Sequence, residues 1–274
     1  MVAFEYGGFD LSTYAWNVRL LGYSPSAPPR RGDNVAIAGK TGRLWTWKPL
    51  DERSITLGMY VLGRHPTSGD LSMSRTQAKA NLDALLAAFA KDGQQELKMT
   101  LDDGKTRVAQ AEVVKEVEFR PTGPDSYSLV AEFVLADPLW HDSSATTVQG
   151  EVIQSPQNYA INNPGTYKSD NPVLTLTGPL AGPKLTITLG YPPPPGFTGI
   201  WCAFNGALGG GDTLVIDCGK YEAKVNGVLV RGAISHDGAI GWLEIPSGVS
   251  TLVLESSGFG GGSNLKLDYY PAYL

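Results

Sequence analysis

Ser235-His236-Asp237 holds the three residue types of a hydrolase triad: a nucleophile, a base and a carboxylate to orient it. As immediate neighbours on an extended chain they point to alternating faces and cannot converge, and Gly238 after them marks a turn. Ala38-Gly39-Lys40-Thr41 ends like a phosphate loop, yet Asn34 stands where the upstream glycine belongs, and no helical pattern follows Thr41. Gly209-Gly210-Gly211-Asp212 likewise has no helix N-terminus behind it to hold a phosphate. His65, His141 and His236 are isolated, and Cys202 and Cys218 have no second pair, so neither a metal site nor a cofactor is expected. Two reduced, buried thiols are the expectation for a protein made in the cytoplasm, although a bridge is open if their strands lie close. A glycan hydrolase would need two carboxylates about 5 to 10 Å apart across a cleft. Glu222 and Glu244 are available, but nothing in the sequence singles them out.

The aromatic residues are the better candidates. Trp201, Tyr221 and Trp242 fall in a strand-rich stretch, where exposed rings can stack on sugars, which makes them the candidate carbohydrate-binding residues. The competing role is core packing, because one such ring buries about 150 to 250 Å². Trp45 and Trp47, two positions apart, share one strand face and are candidates for a subunit interface or for core.

The elements that must position these residues are mostly strands. Gly (33) and Pro (19) make up about a fifth of the 274 residues, which favours many short strands joined by turns. Ile55, Leu57, Met59 and Val61 alternate with Ser54, Thr56 and Tyr60, the pattern of a half-buried strand. Leu97, Met99 and Leu101 lead to a turn at Asp102-Asp103-Gly104 that returns through Val108. A second hairpin turns at residues 121–125, between Val113, Val117 and Phe119 on one arm and Tyr127 to Leu135 on the other. One segment reads as helix, with Ser74 and Gln77 as a capping box, Ala78, Leu82, Leu85, Leu86 and Phe89 as its apolar stripe, and Gly93 as its C-cap.

After Trp140 the texture changes to strand and turn alone. The predicted boundary gives an α+β domain over 1–142 and a β-sandwich over 143–274, with Val148, Val152 and Ile153 offering a strand that would return to the first half as an arm. The Pro192 to Pro195 run reads as a stiff loop. No apolar run reaches the ~20 residues of a membrane helix, and no leader precedes the first strand, so a protein synthesised in the cytoplasm is expected. A net charge of −5 argues against a surface that grips nucleic acid through its phosphates.

The second half also carries phrases in a fixed order. Asn162-Asn163-Pro164-Gly165 and Asp170-Asn171-Pro172 are turn chemistry around a short loop, and Asn226-Gly227 between apolar residues is a strong hairpin signal. Trp242 to Ile245 reads as a strand turned by Pro246-Ser247-Gly248 toward Leu252-Val253-Leu254, and residues 268–274 close with Tyr269, Pro271, Tyr273 and Leu274. This order resembles the distal tail proteins of long-tailed bacteriophages, the siphophage tail family. The resemblance implies a structural virion protein of the phage tail tip and no enzyme. It further implies an N-terminal domain that forms a ring, usually a homo-hexamer, and a galectin-like C-terminal sandwich projecting outward. The implied partners are the tail tube protein, the tail tip or baseplate hub and the receptor-binding proteins, with DNA passing through the lumen unbound. The alternative is a carbohydrate-binding module that attaches a phage or an enzyme to cell-wall glycan.

Overall fold

The alternating residues of the first half line up as one antiparallel sheet. The computed structural model describes residues 2–12, 18–24, 26–32, 35–36, 43–44, 50–65, 72–115, 117–189, 200–236 and 242–274. The chain divides into two units, 1–141 together with Leu274, and 142–273. The fold is mainly β, with one helix among the described residues.

In the first unit the strands run in the order Phe9–Asp10, Ala3–Tyr6, Gln95–Thr100, Thr106–Val113, Ser126–Leu135, Arg53–Leu62, Val18–Ser24, with Glu118–Gly123 pairing off Ser126–Leu135. Period-2 alternation puts Ile55, Leu57, Met59 and Val61 on the same buried face as Leu129, Ala131, Phe133 and Leu135. The helix Arg75–Phe89 packs against the two central strands that carry them. Phe89, Tyr6 and Phe133 meet edge-to-face, with ring centroids 5.1 to 5.9 Å apart.

The helix differs from its sequence reading at both ends. Ser74 caps it, its Oγ accepting from the Gln77 N–H at 3.1 Å. The reciprocal half of a capping box is missing, because the Ser74 N–H already donates to the Gly63 carbonyl. The Gln77 amide instead reaches Asn81 Oδ1 at 2.8 Å. Asn81 is buried and donates to the carbonyls of Leu62 and Arg64, fastening the helix to the end of the central strand. At the other end Ala90 is the C-cap, and Gly93, with φ of +73°, serves the turn into Gln95–Thr100. Leu86 of the expected stripe is only half-buried, while Asn81 and Ala88 are inside.

Both expected hairpins form, Gln95–Thr100 with Thr106–Val113 and Glu118–Gly123 with Ser126–Leu135. Val113 ends the earlier strand and pairs with Phe133, while Glu118–Gly123 is a separate strand exposed along its length. Val35–Ala36 pairs with Arg43–Leu44. Residues 37–42, which include Gly39, Lys40 and Thr41, lie outside the described residues, as do Trp45, Trp47 and Pro192 to Pro195.

The second unit has two large antiparallel sheets around one core, beside a small three-stranded sheet of Ala207–Leu208, Leu180–Ala181 and Gly258–Phe259. One runs Thr146–Glu151, Asn264–Tyr269, Val173–Thr177, Thr213–Asp217, Glu222–Val225, Val228–Leu229. The other runs Gln157–Asn163, Gly248–Glu255, Lys184–Leu189, Ile200–Phe204, Ile234–His236. Leu174, Leu176, Leu214, Ile216, Leu265 and Leu267 of the first join Ile161, Leu185, Ile187, Leu252 and Leu254 of the second in a single apolar cluster. Thr146–Glu151 pairs with Asn264–Tyr269, so the strand read as an arm to the first half is an edge of this unit.

The phrases of the second half touch in pairs. Asn163 is 1% exposed, and its amide donates to the carbonyls of Ile245 and Pro246 at 3.2 Å while its Oδ1 accepts from the Gly165 N–H. Gly165 lies so close to the backbone of Ala272 that a Cβ there would stand 2.4 Å from the Ala272 oxygen. Pro172 accepts from the Cys218 N–H, and Gly219 faces the Asn171 side chain. Trp242 to Ile245 is not a strand: Ile245 makes a lone bridge to Ser169, exchanging both backbone hydrogen bonds with it, and the Asn163 side chain adds bonds to the carbonyls at 245 and 246.

Candidate functional site

The hairpin Glu222–Val225 to Val228–Leu229 turns on Asn226-Gly227, whose φ values of +50° and +80° are those of a type I′ turn. Asn226 Oδ1 accepts from the Thr213 N–H, and its amide donates to Asp212 Oδ1. Asp212 also accepts from the Gly209 N–H, so the glycine-rich loop is closed by its own aspartate. The hairpin forms one margin of the six-stranded sheet, and Ile234–His236 forms a margin of the five-stranded one. Where these margins meet there is a cavity of about 440 Å³, bordered by Tyr221, Glu222, Leu229, Arg231, His236 and Trp242.

The geometry joins two of the three aromatic candidates. Tyr221 and Trp242 stand edge-to-face, with centroids 5.8 Å apart and planes at 80°. Trp242 is half-buried against the core, whereas Tyr221 is 68% exposed. Trp201 is elsewhere: it lies on the strand face opposite buried Cys202, with the Lys184 ammonium 5.5 Å from its ring centroid, and does not border the cavity. His236 contributes a ring tilted 33° to Trp242 at 6.4 Å. Tyr221 has φ of +54°, a left-handed conformation at the end of the loop 218–221. An L side chain with a Cβ pays about 1 kcal/mol or more there.

The charges around the cavity are mostly paired. Lys220 bonds Asp217 at 2.6 Å, and Lys224 bonds Glu222 at 2.9 Å. Burial pushes the Asp217 carboxyl up, but the Lys220 ammonium and the backbone N–H groups of Lys220 and Gly219 outweigh it and hold the group below the ordinary aspartate range. The same contact raises the Lys220 ammonium. Arg231 is exposed and has no hydrogen bond or ion pair among the described residues.

The remaining sequence candidates do not assemble. Asp237 lies outside the described residues, and Ser235 Oγ bonds Asn205 Nδ2 at 2.6 Å. Glu244 pairs with Lys168 and does not border the cavity, so Glu222 and Glu244 do not face each other across it. Among the described residues no cluster of three or more His, Cys, Asp and Glu side chains is placed to hold a metal ion, and no helix is long and apolar enough to cross a membrane. Cys202 and Cys218 are free and buried. Burial pushes the Cys202 thiol up to about 12; the Cys218 thiol is raised by burial and by its neighbour Cys202. Arg231 and His236 were not marked as ligand groups by the sequence. His236 sat inside a discounted triad, and only the meeting of two sheet margins brings it beside Arg231 and Tyr221.

No family model and no curated protein matches the chain. Among solved structures, the crystal structure of SPP1 Dit (gp 19.1), a paradigm of the hub adsorption apparatus in phages infecting Gram-positive bacteria, is similar over 100% of both chains, with a TM-score of 0.71 at 14% identity. A chain of the phage p2 baseplate in its activated conformation is similar over 98% of both chains, with TM-scores of 0.44 and 0.45 in the strontium and calcium forms at 8% identity. The resemblance drawn from the phrases of the second half therefore extends to the architecture, and the chain is built, from end to end, on the fold of a phage Dit protein.

Proposed function

We propose that the chain is a structural hub protein of a phage tail, which closes into a ring at the distal end of the tail tube and joins the tube to the tail tip or baseplate. The observation that carries the reading is the match in fold to SPP1 Dit over the full length of both chains. The first unit builds the ring, six subunits by analogy, and the second projects from it. In support, the first unit leaves Leu21, Val114, Phe119 and Val130 exposed, along with the fully exposed strand Glu118–Gly123, surface that an isolated unit gives to water and that neighbouring subunits would cover. A net charge of −5 suits a wall past which DNA slides, because each phosphate contact would add salt-dependent retention. The ring sits in the virion, between the tail tube protein and the tip proteins.

Native mass spectrometry and negative-stain microscopy of the purified full chain test the reading. A closed ring is expected. A strict monomer at all concentrations, with no ring in assembled tails, would overturn it.

A further inference from the structure

A left-handed backbone at the last position of a short hairpin loop normally falls to glycine or asparagine, which adopt it at little cost. Here the position holds Tyr221, which is 68% exposed and so contributes little to the core. Strain retained for an exposed ring points to use of that ring. The ring stands at 80° to Trp242, and the two with His236 give a cavity of about 440 Å³ an aromatic corner. That volume lies within the ~300 to 1,000 Å³ of small-ligand sites. The polar groups decide the class of ligand. Lys220 is neutralised by Asp217 and Glu222 by Lys224, which leaves the Arg231 guanidinium, among the described residues, as an unengaged charge on the rim. An aromatic corner takes the apolar face of a pyranose ring, and a free guanidinium takes a carboxylate or phosphate in two parallel hydrogen bonds.

We propose that Tyr221, Trp242 and Arg231 form a binding site for an anionic saccharide, bearing a uronate or phosphate group, on the second unit. The site uses neither Trp201 nor any part of the first unit, and it stands whether or not the chain closes into a ring.

The test is an array of neutral, uronate-bearing and phosphate-bearing bacterial oligosaccharides probed with the full chain, followed by calorimetric titration of the best-retained member. Retention of anionic members over neutral ones is expected, and the two anionic arms identify the charged group. Tyr221→Gly should weaken binding about tenfold or more while keeping or raising the melting temperature, because glycine relieves the strained φ. Arg231→Gln should remove the preference for anionic over neutral saccharides. The proposal is overturned if no saccharide is retained, if neutral members bind as well as anionic ones, or if Tyr221→Gly leaves affinity unchanged. A fall in melting temperature for Tyr221→Gly would also overturn it, by showing that the ring serves packing.

Discussion

Asn163 shows how much one buried polar side chain can hold. It donates to two carbonyls of the segment 245–246 and accepts from the N–H of Gly165, while itself only 1% exposed. Asn163→Ala is expected to cost about 3 kcal/mol in chemical denaturation of the second unit. Gly165→Ala should cost as much or more, because its Cβ would press on backbone atoms of Ala272 that cannot swing away. In the second unit, acid should act through three carboxyls held below the ordinary range. Asp212 is lowered by the Asn226 amide and the Gly209 N–H. For Asp217 and Asp268 burial pushes upward, but Lys220 and, for Asp268, Lys266 with Thr147 prevail. A folded-state pKa below the unfolded value of about 3.9 means that their stabilisation is complete above about pH 4 to 5 and is lost as the pH falls through the lower folded-state values. Thermal melts of the second unit from pH 6 down to pH 2 should fall mainly below pH 4. The triple Asn variant should show a flatter profile, and an unchanged one would exclude these groups as the cause.

Among the elements, the helix separates what pattern reveals from what context decides. Ser74→Ala should cost about 1 kcal/mol, since it strips the cap from the Gln77 N–H. Gln77→Ala should cost as much or more, not through the cap, since the Ser74 N–H is already bonded to Gly63, but because it leaves Oδ1 of buried Asn81 without its donor. Equilibrium denaturation of both variants checks the order. The Ser-x-x-Gln spacing was legible in the sequence, but the rival acceptor, Gly63, was not, because it arrives from the neighbouring strand. The same division runs through the fold. Ile55 to Val61, Leu129 to Leu135 and the Asn226-Gly227 turn could be read directly, since alternation and turn chemistry are local. Leu243 and Ile245 show the spacing of a strand and are buried, yet the pairing stops at one bridge to Ser169, and the Asn163 side chain, 82 residues away in sequence, adds its bond to the Ile245 carbonyl. The candidate site was half legible for the same reason. Tyr221 and Trp242 could be named by type, but their meeting with Arg231, and the exclusion of Trp201, depend on which sheet margins adjoin.

At the scale of the whole molecule, the two units 1–141 and 142–273 each carry a buried core, and Leu274 is grouped with the first, where it borders a small cavity with Arg53 and Trp140. Each unit is expected to melt cooperatively when expressed alone, as 1–142 and as 144–274, because each exceeds the ~100 residues that readily sustain a core. The first fragment should melt below the full chain, having lost Leu274. Scanning calorimetry of both fragments checks this, and two insoluble or unfolded products would show that the halves depend on each other to fold. The edge strand Thr146–Glu151 has a further consequence, in time rather than in stability. Its hydrogen-bonded partner strand is Asn264–Tyr269, and Thr147 meets Asp268 across 121 residues of chain. At ~5 to 20 residues per second, a ribosome leaves that strand waiting roughly 6 to 24 seconds for its mate. Its sequence, Thr-Thr-Val-Gln-Gly-Glu, holds one large apolar side chain, which suits a strand that must spend that interval unpaired without recruiting the wrong neighbour.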